Sequence, residues 1–522
     1  METFVPTRND KTDNTPPALR RLREKLQEIY DLEGAAALLG WDQSTYLPAA
    51  GAAARGRQMA LMARLSQERK ASPELGRLID QADAETQALP EDSDDASLVR
   101  VARQDYERAT RVPPEHLEAF FQHTAASYEA WRAARPENDF KKVRPFLEKT
   151  LDFSRAYADF FPGYDHIADP LIDVHERGLK TATVRALFDE LRQRLAPLVV
   201  AAAAQPEPDM GPVWQSFPEP EQLRFGWSII RDFGFDPARA RQDKSAHPFM
   251  TKLALGDIRI TTRVKERDLT EALFSTLHEA GHALYELGLD PAFEGTPLAS
   301  AASSGVHESQ SRLWENLVGR SRPFWQHYFP GLQSAFPGQL ANVSLDDFYR
   351  AVNRVSRSLI RTDADELTYN LHVMIRFSLE LDLLEGKLEV RHLPEAWNER
   401  YQQDLGITPP NDADGVLQDV HWYSFRIGGA FQSYTLGNIM SAQFLEAARR
   451  SDPSIDLEIA EGRFEALRSW LTEHVYRQGR KFLPEDLVRR ATGRPLKLDP
   501  YVHYLTHKYG ELYDLDDVTG EE

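Results

Sequence analysis

Two imidazoles four positions apart, with a carboxylate beside the first, stand at His278-Glu279-Ala280-Gly281-His282. On an α-helix, residues i and i+4 share one face about 5–6 Å apart, so both rings can hold one divalent ion while Glu279 projects to the side. This is the metal-and-base pattern of a metallopeptidase. A catalytic zinc site takes three protein ligands and keeps one position for water, so another donor must follow. One peptidase class would need glycine at 285 and histidine at 288, where Tyr285 and Gly288 stand; another would need glutamate at the position of Ala302. No Gly-x-Met-x-Asn stretch precedes the motif. The expected third ligand is Glu308, in Val306-His307-Glu308-Ser309-Gln310 after the turn-prone Ser303-Ser304-Gly305. Two plainer readings compete: histidines that are merely solvated or hydrogen-bonded, and a Glu308–Arg312 surface ion pair of about 0.3–0.5 kcal/mol.

The elements that would position these groups follow from local pattern. Asp268 and Glu271 form a D-x-x-E capping box, Leu269, Leu273, Leu277 and Leu284 mark an apolar stripe, and Gly288 offers a stop, so a helix is expected. Upstream, Asp257, Arg259 and Thr261 alternate with Ile258 and Ile260 as a short strand with one polar face. There Arg259 is either a fork for a peptide carboxylate or a partner that tidies the strand with Asp257. Apolar spacing predicts a long helix from about Ser344 to Leu384 with a break near Arg361–Asp365. Arg361 and Asp365 by themselves read as an i, i+4 ion pair. His247 precedes Pro248, which favours extended backbone and a projecting ring. Further helices are expected over Leu19–Leu39 and Arg55–Gln67, loops at Pro90–Asp95 and Gln205–Pro220, and a polar frayed tail over residues 1 to about 16.

Six short motifs occur in a telling order: His247-Pro248-Phe249, Asp257-Ile258-Arg259-Ile260-Thr261, the His278–His282 helix, His307-Glu308-Ser309-Gln310, Ile360-Arg361-Thr362-Asp363-Ala364-Asp365, and Gly415-Val416-Leu417-Gln418. With Trp41-Asp42-Gln43 and Tyr46-Leu47-Pro48 near the start, the chain resembles the M32 metallocarboxypeptidases over nearly its whole length. The resemblance implies a mainly α, gluzincin-like fold: a large helical body with a long central substrate groove and a small β element beside the metal helix. It implies one peptidase domain over 1–522, with a helical N-terminal or lid part at about 17–200, a metal-containing part at about 221–522, and commonly a homodimer. It also implies removal of single residues from peptides with a free C-terminus. Arg259 with Asp257, and Arg361, would contact the terminal carboxylate. His247 and Tyr423 would serve the scissile carbonyl, and Tyr434 and Gln418 would face the cleft. Many members run from His-Trp-Ser into Gly-Tyr-Phe-Pro, whereas this chain has His421-Trp422-Tyr423-Ser424 and Gly428-Gly429-Ala430-Phe431, a departure that bears on side-chain preference.

Composition narrows the partners. The 522 residues carry 62 Lys+Arg against 81 Asp+Glu, and a net charge of −19 disfavours nucleic acid and anionic membranes. Zero cysteines exclude disulfides and thiolate ligands, leaving histidine and carboxylate donors for one divalent metal per chain, zinc foremost and cobalt possible. With no signal-peptide pattern or long apolar run, the cytoplasm is the expected compartment. Two rivals stay open: an oligopeptidase or endopeptidase using the same centre, and a non-catalytic peptide-binding protein with a structural metal. Glu279 argues against the second, because a closed structural site has no use for a base beside its ligands.

Overall fold

The computed structural model describes residues 15–515, so the expected tail lies, but for Thr15 and Pro16, outside the described residues. The body is mainly helical with one three-stranded sheet, and a continuous apolar core runs from Leu19 to Leu515. Helices α1 (Pro17–Thr45) and α2 (Ala52–Lys70) form a hairpin longer than apolar spacing alone suggests. The sheet comprises β1 (Ala240–Lys244), β2 (Met250–Ala254) and β3 (Asp257–Thr262) in the order β1-β3-β2, with β1 parallel and β2 antiparallel to β3. Ile258 and Ile260 point into the core as alternation requires. Thr261 departs from its expected polar face: it is fully buried, and its hydroxyl receives the Phe249 N–H at 2.9 Å and the Ser245 hydroxyl at 2.7 Å.

The metal helix α3 (Leu269–Leu287) starts where Asp268 accepts the Thr270 N–H at 3.0 Å. The second half of the expected capping box does not form, because Glu271 is taken by Arg263 and Lys265 instead. Helix α4 (Ser304–Arg312) begins at the Ser303 hydroxyl, which accepts the Val306 N–H at 3.0 Å, and passes into a π-helical turn at Leu313–Val318. Helix α5 (Gln432–Ser451) packs across α4.

The long helix expected over Ser344–Leu384 is two helices, Leu345–Val352 and Tyr369–Leu384, separated by irregular backbone and a 3-10 turn at Arg361–Asp363. The cause lies at Asp365, whose carboxylate accepts N–H groups from Ser356, Leu367 and Thr368 and the Thr368 hydroxyl. Such side-chain acceptors compete with the helical ladder for the same donors. The loops expected at Pro90–Asp95 and Gln205–Pro220 are present but end earlier, because helices start at Asp94 and Glu219. Among the described residues, no helix is long and apolar enough to cross a membrane.

Candidate metal centre

Gly281 sits between the two histidines because α4 crosses there. A Cβ at that position would lie 2.5 Å from the Gln310 carbonyl oxygen and 2.7 Å from Ser311 Cα. Across the other side of α4, Gly437 leaves room for Glu308, whose Cβ would stand 2.8 Å from an added Cβ. The two close approaches bring Glu308 over the His278–His282 face. One donor atom from each of His278, His282 and Glu308 lies within 4.8 Å of the others; Glu308 Oε2 is 3.9 Å from His278 Nε2 and 3.5 Å from His282 Nε2. Ligands about 2.0–2.2 Å from one ion stand roughly 3–4 Å apart, so this nitrogen-and-carboxylate set fits a single divalent cation.

The partners behind these donors fix their orientation. Glu315 Oε2 sits 2.9 Å from His278 Nδ1, so Nδ1–H donates there and Nε2 keeps its lone pair for a metal. Glu308 Oε1 accepts Arg312 Nε at 2.7 Å, so the ion pair read as a rival to ligation coexists with it through the other oxygen. His282 stacks on His307 with centroids 4.4 Å apart, and His307 Nε2 lies 3.1 Å from Glu286, which also binds Lys252 at 2.6 Å.

Protonation suits ligation at His282 and Glu308, whereas at His278 a metal must displace a proton. Burial drives His282 down to about 3, helped by His307, so that ring is neutral. Burial alone would raise Glu308, yet Arg312 and His278 hold it well below the usual carboxylate range. Burial would likewise depress His278, but Glu308 and Glu315 keep it above its ordinary value. Glu279, only 7% exposed, is pushed by burial up to about 7, with His278 pulling it down and Glu308 pushing it up. That range suits a carboxylate that exchanges protons near neutral pH.

A cleft of about 540 Å³ opens on the group, with His282, Glu308, His421 and Tyr434 on its wall. Tyr434 Oη lies 3.0 Å from His421 Nε2, and His421 Nδ1 lies 2.5 Å from Asp419. Other expected site residues stand elsewhere. Arg361 is buried and donates to Asp419 at 2.7 Å and Tyr369 at 3.1 Å, while its main-chain N–H is received by Gln418. Arg361 and Gln418 thus belong to a buried network that also holds Arg376. Arg259 makes two 2.8 Å hydrogen bonds to Asp257 and stacks 4.2 Å over Trp41. His247 is exposed; Tyr423 is fully buried with its ring stacked on Trp131. None of these residues is part of the cleft wall. Glu315 escaped the sequence reading although Glu308, Arg312 and Glu315 share the i, i+4, i+7 face that would have revealed it. Asp419 and His421 carried no comparable local signal.

Comparison with known proteins agrees with this geometry. Residues 21–509 match the model of the carboxypeptidase Taq (M32) metallopeptidase family. Thermostable carboxypeptidase 1 of Thermus thermophilus is 39% identical over 506 residues, covering 95% of this chain and 99% of its own. Carboxypeptidase 1 of Bacillus subtilis is 36% identical over 489 residues, covering 94% and 97%. The crystal structure of an M32 carboxypeptidase from Deinococcus radiodurans R1 superposes with a TM-score of 0.93 at 52% identity, covering 96% of this chain and all of that one. The chain belongs to the carboxypeptidase Taq (M32) metallopeptidase family and is a metal-dependent carboxypeptidase.

Proposed function

We propose that the enzyme removes single residues, with broad side-chain tolerance, from peptides bearing a free C-terminus, using one zinc ion on His278, His282 and Glu308. The observation that carries this reading is the convergence of those three donors beside a buried Glu279. A divalent ion bound there supplies Lewis acidity to the last peptide carbonyl and to a water molecule. Glu279 takes the proton from that water and returns it to the nitrogen of the departing residue. Glu315 and Arg312 hold His278 and Glu308 in place during this exchange. Tyr434, oriented by His421 and Asp419, is the phenol that meets substrate on the cleft wall. The protein acts as a single peptidase unit and a homodimer in the cytoplasm; family resemblance supports the dimer, and a cysteine-free composition suits a reducing compartment.

The test is a mass-spectrometric time course on one peptide offered with a free or an amidated C-terminus, using zinc-loaded and chelator-stripped enzyme. Stepwise loss of C-terminal residues from the free acid alone, and only with metal, is the expected result. Internal cleavage of both peptides would replace this reading with an endopeptidase.

A further inference from the structure

Among the described residues, the charges around the cleft are paired, with one exception. Glu286 holds Lys252 and His307, Glu308 holds Arg312, and Arg480 makes two 2.6 Å hydrogen bonds to Asp105. Arg177 lines the same cleft, half-buried, and among the described residues its guanidinium closes no hydrogen bond or ion pair. The two carboxylates whose fields reach it are already engaged, Asp105 by Arg480 and Asp173 by Arg108. Arg177, Arg480 and Arg108 thus stand around Asp105 and Asp173, and the pairs Arg480–Asp105 and Arg108–Asp173 leave Arg177 without a carboxylate of its own. Burial, and then Arg480, lower the Arg177 guanidinium to about 10, against the upward pull of Asp105 and Asp173.

The backbone bearing Arg177 is fixed on the metal centre. His175 O accepts the Ser304 N–H at 3.0 Å, and Glu176 Oε1 accepts the Gly305 N–H at 2.5 Å, so the segment is tied to the first turn of the helix that carries Glu308. On the other side, Gly178 adopts φ +78° and donates its N–H to Asp173 at 2.7 Å. The constrained backbone fixes where the Arg177 side chain starts, so only the rotamers of that side chain remain to be ordered when a ligand binds. The guanidinium fork matches a planar carboxylate through two parallel hydrogen bonds.

We propose that Arg177 is the cleft's receptor for a carboxylate of the bound peptide, making it a specificity-determining residue of the carboxypeptidase. The carboxylate is either the terminal one or an acidic side chain, and both present the same planar anion. The assignment rests on the cleft being the peptide site of the proposed function. Its test is calorimetric binding to zinc-loaded enzyme, which needs no turnover. The probes are N-acetyl-phenylalanine, with a terminal carboxylate only; N-acetyl-glutamate α-amide, with a side-chain carboxylate only; and N-acetyl-phenylalanine amide, with none. In Arg177→Met, affinity for one of the two acids falls roughly ten- to a hundredfold, the range expected for a charge-assisted pair. Affinity for the neutral amide and zinc stoichiometry stay unchanged. Arg177→Lys recovers only part of the loss, because an ammonium lacks the fork. Selective loss for N-acetyl-phenylalanine assigns the terminal carboxylate, and selective loss for the glutamate amide assigns the side chain. A variant that keeps its preference for both acids over the neutral amide overturns the proposal. So does a wild-type enzyme with no such preference. Failure of the cleavage assay with these binding differences intact would instead count against the proposed reaction alone.

Discussion

Helices α2 and α3 are both nineteen residues long, and they are built to opposite ends. In α3 thirteen residues are buried; in α2 only Ser66 is. Helix α3 is clamped between the sheet, α4 and the π-helical turn, with Gly281 admitting a backbone crossing. Helix α2 rests chiefly on α1, and α1 in turn touches the sheet through Gly34, whose added Cβ would stand 2.4 Å from the Leu253 carbonyl oxygen. Three metal donors need sub-ångström placement, and close packing on every side supplies it. The hairpin carries no such demand. Its surface ion pairs, such as Arg64–Glu68, contribute little.

The sharpest way to break this contrast is to change chemistry without packing. Glu279→Gln preserves the volume of a buried side chain in α3, so the helix and bound metal should persist while turnover falls at least about 10³-fold, roughly 4 kcal/mol of barrier. Zinc content by elemental analysis alongside steady-state rates decides it, and an active variant refutes Glu279 as the base.

Burial on the α4 side carries an electrostatic cost that the hairpin lacks. Glu176, 1% exposed and packed against the first turn of α4, is pushed by burial up to about 7 from an ordinary 4.5. A carboxyl raised on folding stabilises fully below about pH 4.5 and loses that contribution as pH climbs through 7. Glu176→Gln should therefore gain stability relative to the parent between pH 5 and 8, by up to about 3 kcal/mol. Denaturant unfolding at the two pH values reads the effect, and a difference independent of pH would show that Glu176 is not strained by ionisation.

Gly281→Ala tests the crossing itself. Its methyl meets main-chain atoms, so α3 and α4 must separate, costing about 1–3 kcal/mol and loosening Glu308 from the histidines. Thermal unfolding with and without zinc should show both losses. Glu315→Gln removes the anion behind His278 and should weaken metal affinity about 10–100-fold in chelator competition, with the fold intact. At the far end, Leu61→Ser on the exposed face of α2 should shift stability by no more than about 0.5 kcal/mol and leave rates unchanged. A large effect there would mean that the hairpin is as constrained as the metal helix.

What was legible in the sequence follows the range of the forces involved. His278, Glu279 and His282 could be placed together because helix geometry alone brings i and i+4 onto one face. Asp268 and Ser303 announced their helices through hydrogen bonds spanning two or three residues. Glu308 was reached across a turn by eliminating other ligand spacings. The break after Val352 was under-read because one side chain, Asp365, gathers donors as far back as Ser356. Tyr423 and Arg361 looked like cleft residues in one dimension, and each turned inward to a partner far along the chain.

By itself, the sequence determined the kind of chemistry: which donors exist, that thiolates are absent, and which residues a helix must put side by side. Only the tertiary structure decided which charges are free to meet a substrate. Arg361 is sealed by Asp419, 58 positions away, and Arg259 by Asp257 beneath Trp41, whereas Arg177 is left open on the cleft wall. Spacing along a helix is fixed by local bond geometry, but the pairing of a buried charge depends on whatever carboxylate the fold delivers to it, and that is settled when distant segments pack.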